Sequence, residues 1–142
     1  MALSLLRRLR QCTWADRRRL LVATVVCVGV WGALRLVSLR RLVRWTGPAS
    51  QREEPPEEDV VDRTVWAVRA AGTRLFPTRP CLPQSLAARF LLARHGISTE
   101  LRVGIRKEGG EALRAHAWLE RNDEVLVGGG ASPAAYHVLT AS

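Results

Sequence analysis

Two side chains stand where their types could do nucleophilic chemistry together. Cys81 lies in the stretch Arg79-Pro80-Cys81-Leu82-Pro83-Gln84, and His116 follows 35 positions later in Ala115-His116-Ala117-Trp118-Leu119-Glu120. Proline is tolerated in the first turn of a helix and not deeper. Pro80 and Pro83 therefore put the start of a helix at or just after Cys81. Unpaired backbone N–H groups at such an end favour a thiolate and can stabilise an oxyanion. His116 falls in the middle of an alternating segment, which puts it on one strand face with Trp118 and Glu120, and Ala117 and Leu119 on the other. A cysteine at a helix start beside a strand histidine is the arrangement in which His takes the thiol proton and returns it to a leaving amine.

The elements that must position this pair are legible around it. Leu82, Leu86, Ala87, Phe90 and Leu91 form an apolar stripe on the Cys81 helix, and Gly96 is placed to end it. Leu101, Val103 and Ile105 alternate with Arg102, Gly104 and Arg106, the pattern of a half-buried strand. A turn at residues 107–110, a strand at 113–121, a tight turn at Asn122-Asp123 and a strand at 124–127 follow, with Tyr136 and Val138 in a last edge strand. Upstream, Val61, Val65, Val68 and Ala71 or Gly72 share one face of an amphipathic helix that starts near Val60. The expected order is helices followed by antiparallel strands, an α+β chain.

Neighbouring residues carry two readings each. Gln84 is either an oxyanion donor or an exposed helix residue. Trp118 is core or pocket wall, and Glu120 is a partner for His116 or a strand charge. His95 suits a helix C-terminus. Gly109-Gly110 and Gly128-Gly129-Gly130 are turns and do not follow a strand–helix phosphate-loop pattern. Cys12, Cys27 and Cys81 are an odd set with neither disulfide nor zinc-type spacing, which favours a reducing compartment and free thiols. Neither a metal nor a cofactor is expected.

Charge divides the chain. Of 142 residues with a formal net charge of +9, the first 52 hold eleven arginines against the single acid Asp16, or +10. The remainder carries eleven basic and twelve acidic groups, or −1. Within the basic part, residues 20–34 form a 15-residue uncharged, mostly apolar run with Arg17–Arg19 before it and Arg35, Arg40 and Arg41 after. A spanning helix needs about 20 apolar residues, so the run is short for one. It is read as a helix packed on the domain, as a helix lying on a membrane face, or as a span. Gly47-Pro48 and the acidic, proline-split residues 53–59 then break the pattern. The expected organisation is a basic helical segment at 1–46, a linker at 47–59 and a catalytic region at 60–142.

The combination R-x-C-L, S-L, L-L-x-R-x-G-I, L-x-x-G-I and A-H-A-W-L-E, spread over about residues 60–130, resembles the transglutaminase-like cysteine peptidases of lasso-peptide biosynthesis, the stand-alone peptidase half of a split maturation protein. The resemblance implies a papain-like or transglutaminase-like fold and removal of a leader from a ribosomally made precursor peptide. It implies Cys81 as nucleophile and His116 as general base and acid. It also implies an acid on the next strand to orient the histidine. Twelve residues past His116, where many relatives carry Asp, this chain has Gly128, and the nearest Asp is Asp123. A backbone carbonyl is the other group that could take that role. Implied partners are the precursor, a small leader-recognition protein and an asparagine-synthetase-like cyclase, in the cytoplasm, with peripheral membrane contact through residues 17–45 and no nucleic acid. Two rivals stand beside this reading. One is a membrane-surface or nucleic-acid binding module using the basic segment; the other is acyl transfer to an amine on the same fold.

Overall fold

The computed structural model describes residues 13–47, 58–78, 81–110, 112–128 and 136–141. The expectations for Cys12, the linker at 48–57, Pro80 and Gly129-Gly130 lie outside them. Four helices precede four strands: α1 (Trp14–Leu36), α2 (Leu39–Thr46), α3 (Glu58–Leu75), α4 (Cys81–Arg94), β1 (Glu100–Glu108), β2 (Ala112–Arg121), β3 (Glu124–Val127) and β4 (His137–Ala141).

Local chemistry explains the ends. Thr13 caps α1 in a reciprocal box: its hydroxyl accepts from the Asp16 backbone N–H at 3.3 Å, and the Asp16 carboxylate accepts from the Thr13 N–H at 3.1 Å. These bonds hold the Asp16 carboxyl below its ordinary value, with Arg63 and Arg19 adding to the effect. Helix α4 ends in a Schellman motif. Gly96 is left-handed (φ 72°), its N–H bonds the Ala93 carbonyl, and the Ile97 N–H bonds that of Leu92. Asn122 and Asp123 both take positive φ, 50° and 63°, the two-residue hairpin turn that matches the twist of its strands.

The sheet is antiparallel throughout, in the order β3-β2-β1-β4. The helices cover one face of it. Leu101, Leu119 and Val127 join Val68, Leu86 and Leu92 in a single core, each large aliphatic side chain contributing about 1.5–3 kcal/mol by burial. The sheet therefore receives its apolar cover from α4 and α3, and its other face carries the polar and aromatic residues.

Helix α4 departs from the expected stripe. Pro83 through Arg89 are all buried, together with Leu92, because α4 is wrapped by α1, α2, α3 and the sheet. Small residues make this possible: Ala23, Ala67, Ala71, Ala87 and Ala88 line the helix contacts. Gly72 has no room for a methyl, since a Cβ there would come within 2.2 Å of Gln84 Cγ. Arg89 lies in the same buried layer, with its Nη2 near Gly47 at the end of α2, where a cation complements the helix dipole. Burial pushes Arg89 below its ordinary value and Glu100 partly offsets this.

The apolar run belongs to α1, which packs inward through Ala23, Cys27 and Val30. Asp16 approaches Arg63 at 4.0 Å, and Trp31 stacks on Phe76 at 6.1 Å. Helices α1 and α3 therefore run parallel.

Candidate active site

Cys81 is the first residue of α4 and is half-buried. The first turn of α4 leaves the Cys81 and Leu82 backbone N–H groups without intrahelical partners, Pro83 having none to offer. One turn on, Ser85 is fully buried, and its hydroxyl reaches the Ala117 carbonyl at 3.5 Å. This contact ties the first turns of α4 to β2 at the residue next to His116. Among the described residues no hydrogen bond joins the Cys81 thiol to the His116 ring.

The strand alternation has the expected faces. Ala117 and Leu119 are buried toward the helices, while His116, Trp118 and Glu120 stand on the opposite side. His116 sits across from Gly104, and Trp118 across from Arg102. Tyr136, just ahead of β4, closes over them. Its ring centroid is 5.3 Å from His116 and 5.8 Å from Trp118, and the His116 and Trp118 rings are 6.2 Å apart. Gly104 makes room for the cluster, because a Cβ there would meet Tyr136 at 2.8 Å and Trp118 at 3.0 Å. Trp118 is consequently buried, as the wall of this aromatic group.

The Nε2 atom of His116 is bonded to the Gly128 carbonyl oxygen. A carbonyl can only accept, so Nε2 carries the proton, and the lone pair of the neutral ring is left on Nδ1. Gly128 is required for this contact. It is left-handed (φ 88°), and a Cβ would come within 2.3 Å of the Ala117 carbonyl. The partner of the histidine is thus a backbone group at the end of β3, reached across the β2–β3 pairing.

Asp123 stands apart from this contact. It occupies the β2–β3 turn with an exposed side chain and lines a polar pocket with Glu100, Arg102, Glu120 and Asn122. Six residues of strand and turn separate it from His116, whose Nε2 is bonded to the Gly128 carbonyl. Gln84 is not the exposed helix residue of one of its two readings. It is buried, and its amide donates to the Thr73 hydroxyl at 3.4 Å across the α3–α4 contact. Glu120 accepts from the Trp118 indole N–H at 2.6 Å and pairs with Arg102 at 2.7 Å. It steadies the tryptophan beside the histidine instead of touching the histidine.

Tyr136 and Arg106 are members of the cluster that sequence reasoning missed as such. Tyr136 was seen only as an edge-strand residue, and the Arg106 guanidinium lies 5.2 Å from its ring. The signal that could have found them is the glycine at position 104, opposite His116, which leaves a gap for an aromatic ring. Cys27 is the contrasting thiol: fully buried, with burial pushing it up to about 11. Among the described residues no group of three or more His, Cys, Asp or Glu could hold a metal ion.

A family model for the transglutaminase-like superfamily matches residues 21–141, from inside α1 to the end of β4. The chain belongs to the transglutaminase-like superfamily, which includes cysteine peptidases and acyltransferases. No curated protein and no solved structure gives a significant match.

Proposed function

We propose that the chain is a cysteine peptidase that removes the leader from a ribosomally made lasso-peptide precursor before macrolactam formation. The observation that carries the chemistry is the His116 ring held by the Gly128 carbonyl, on a strand bolted to the helix that Cys81 begins. With Nε2 protonated, Nδ1 is the atom free to act as base. In this reading it takes the Cys81 thiol proton once the start of α4 and the His116 face of β2 close on substrate, a movement the proposal requires because α4 packs on the other face of the sheet. The Sγ attacks the scissile carbonyl, and backbone N–H groups at the start of α4 receive the oxyanion. The C–N bond breaks, and the leaving amine takes the proton from His116. Water then hydrolyses the thioester, and the leader departs with a free carboxylate.

The resemblance of the C-L…S-L…H-A-W-L-E pattern to lasso leader peptidases supports the substrate class. In this reading a small recognition protein grips the leader. The freed α-amine passes to an asparagine-synthetase-like cyclase. The enzyme works in the cytoplasm, with residues 17–45 as its contact with the membrane.

The test is incubation of the purified chain with a lasso precursor peptide and a leader-recognition protein, read by mass spectrometry. A leader bearing a free C-terminal carboxylate and an intact core is the expected product. Cys81→Ala and His116→Ala should each lower the rate by about 10³-fold or more. Processing at the normal rate by Cys81→Ala would end the peptidase reading. Leader joined to an added amine would reassign the chain to acyl transfer.

A further inference from the structure

Helix α1 has two apolar faces, and the described residues cover only one of them. The inward residues Ala23, Cys27, Val30 and Leu34 recur at steps of four, three and four, as do the outward residues Leu21, Val25, Val28 and Gly32 on the opposite side of the helix. Leu21 and Val25 are 65% and 63% exposed, and nothing approaches the Cβ positions of Gly29 or Gly32. The ends of this stripe are cationic. Arg17, Arg18 and Arg19 at one end and Arg35, Arg40, Arg41 and Arg44 at the other are all exposed, and between Thr13 and Gly47 only Asp16 is acidic. Exposed indoles accompany them: Trp14, Trp31 and Trp45.

We propose that this outer face of α1, with α2, docks in the plane of a bilayer leaflet rich in anionic phospholipid. The proposal deepens the membrane contact assigned above to residues 17–45 and does not depend on the peptidase chemistry. Charge complementarity selects the occupant. An apolar strip flanked by arginines and tryptophans matches acyl chains bordered by anionic headgroups and an aromatic belt. A water-soluble acidic partner would answer the arginines but leave Leu21, Val25 and Val28 unexplained.

The packing also decides orientation. Among the described residues, α1 is the helix long and apolar enough to cross a membrane. However, it lies along α3 from the Asp16–Arg63 approach to the Trp31–Phe76 stack. To span, it would have to draw Asp59, Asp62, Arg63, Arg69 and Arg74 of α3 into hydrocarbon, which is strongly unfavourable. Lying flat, it buries only the stripe that the fold leaves open.

The experiment is co-sedimentation of the purified full chain with vesicles of phosphatidylcholine alone, or of phosphatidylcholine with about one-third phosphatidylglycerol. Binding should be at least about tenfold tighter to the anionic vesicles and should weaken as salt rises. Leu21→Glu with Val25→Glu should abolish it. Arg40→Gln, Arg41→Gln and Arg44→Gln together, which leave the Arg35–Trp31 contact intact, should weaken it by about tenfold or more. Cys81→Ala should bind as the parent does, which separates this inference from the peptidase reading. Equal binding to both vesicles, unchanged binding by the arginine variant, a dimer in solution that ignores vesicles, or resistance to alkaline extraction would each overturn it.

Discussion

In the proposed mechanism the Gly128 carbonyl holds His116 where a carboxylate could otherwise stand, with a different balance of terms. A neutral acceptor fixes the tautomer and the ring plane, but it stabilises a developing imidazolium less than a charged one would. An acid cannot simply be placed at this position. Any side chain at 128 must adopt φ 88° and place a Cβ 2.3 Å from the Ala117 carbonyl. Gly128→Asp is therefore expected to be less active than the parent and, like Gly128→Ala, less stable by about 1–3 kcal/mol. Precursor cleavage and thermal unfolding measure the two effects, and a gain of activity by Gly128→Asp would contradict the geometry. A second expectation concerns the thiols. Iodoacetamide should label the half-buried Cys81 in the native protein and reach Cys27 only after denaturation, as peptide mass spectrometry would report; Cys27 is fully enclosed and its thiol is pushed up to about 11. At this scale the sequence carried the types and faces of Cys81, His116, Trp118 and Glu120. It could not carry the acceptor of the His116 bond, because a backbone carbonyl leaves no side-chain signature. Gln84 was illegible for a related reason: its partner Thr73 is eleven positions away on another helix.

Elements were legible where a local rule determines them. The proline-limited start of α4, its Gly96 stop, the Asn122-Asp123 turn and the alternation of β1 and β2 all depend on neighbours within a few residues. What the sequence did not show is that α4 is buried nearly all round. That property belongs to its neighbours, through the alanines of α1, α3 and α4 and through Gly72. Gly72→Ala should accordingly separate α3 from α4 at the Gln84 contact and destabilise the fold by about 1–3 kcal/mol, as overpacking does; an unchanged melting temperature would show that Gln84 can turn aside. The α1 cap offers a test with a sign. Because Asp16 sits below its ordinary carboxyl value in the folded chain, its stabilising contribution is complete above the ordinary value. It is lost as pH falls through the folded one. Asp16→Asn should therefore lower the melting temperature at neutral pH, and the gap from the parent should close in strong acid. A gap that persists there would assign the effect to something other than the ionised carboxylate.

On the scale of the molecule, charge and packing divide the chain differently. By charge, the first third is a +10 segment set apart from a near-neutral remainder. By packing, α1 belongs to the same core as α3, α4 and the sheet: Ala23, Cys27, Val30 and Leu42 share it with Leu86, Leu92 and Leu119. The family match, which begins at residue 21, also crosses the charge boundary. Composition could not reveal this, because the residues that join the two parts are mostly small and neutral while the arginines point outward. The consequence is that the basic segment cannot be removed as a detachable anchor. A chain starting after residue 46 would expose the α1-facing sides of Ala67, Ala71 and Ala88. It would also leave Arg89 without the end of α2 beside it, a buried cation deprived of its surroundings. Such a truncation is expected to lose cooperative unfolding and any processing activity together, even in detergent-free buffer where no membrane is involved. Calorimetry of the truncated and full chains measures this directly. A truncated chain that melts cooperatively near the parent temperature would show that α1 only rests on the domain, and the inward row of Ala23, Cys27 and Val30 would then need another explanation.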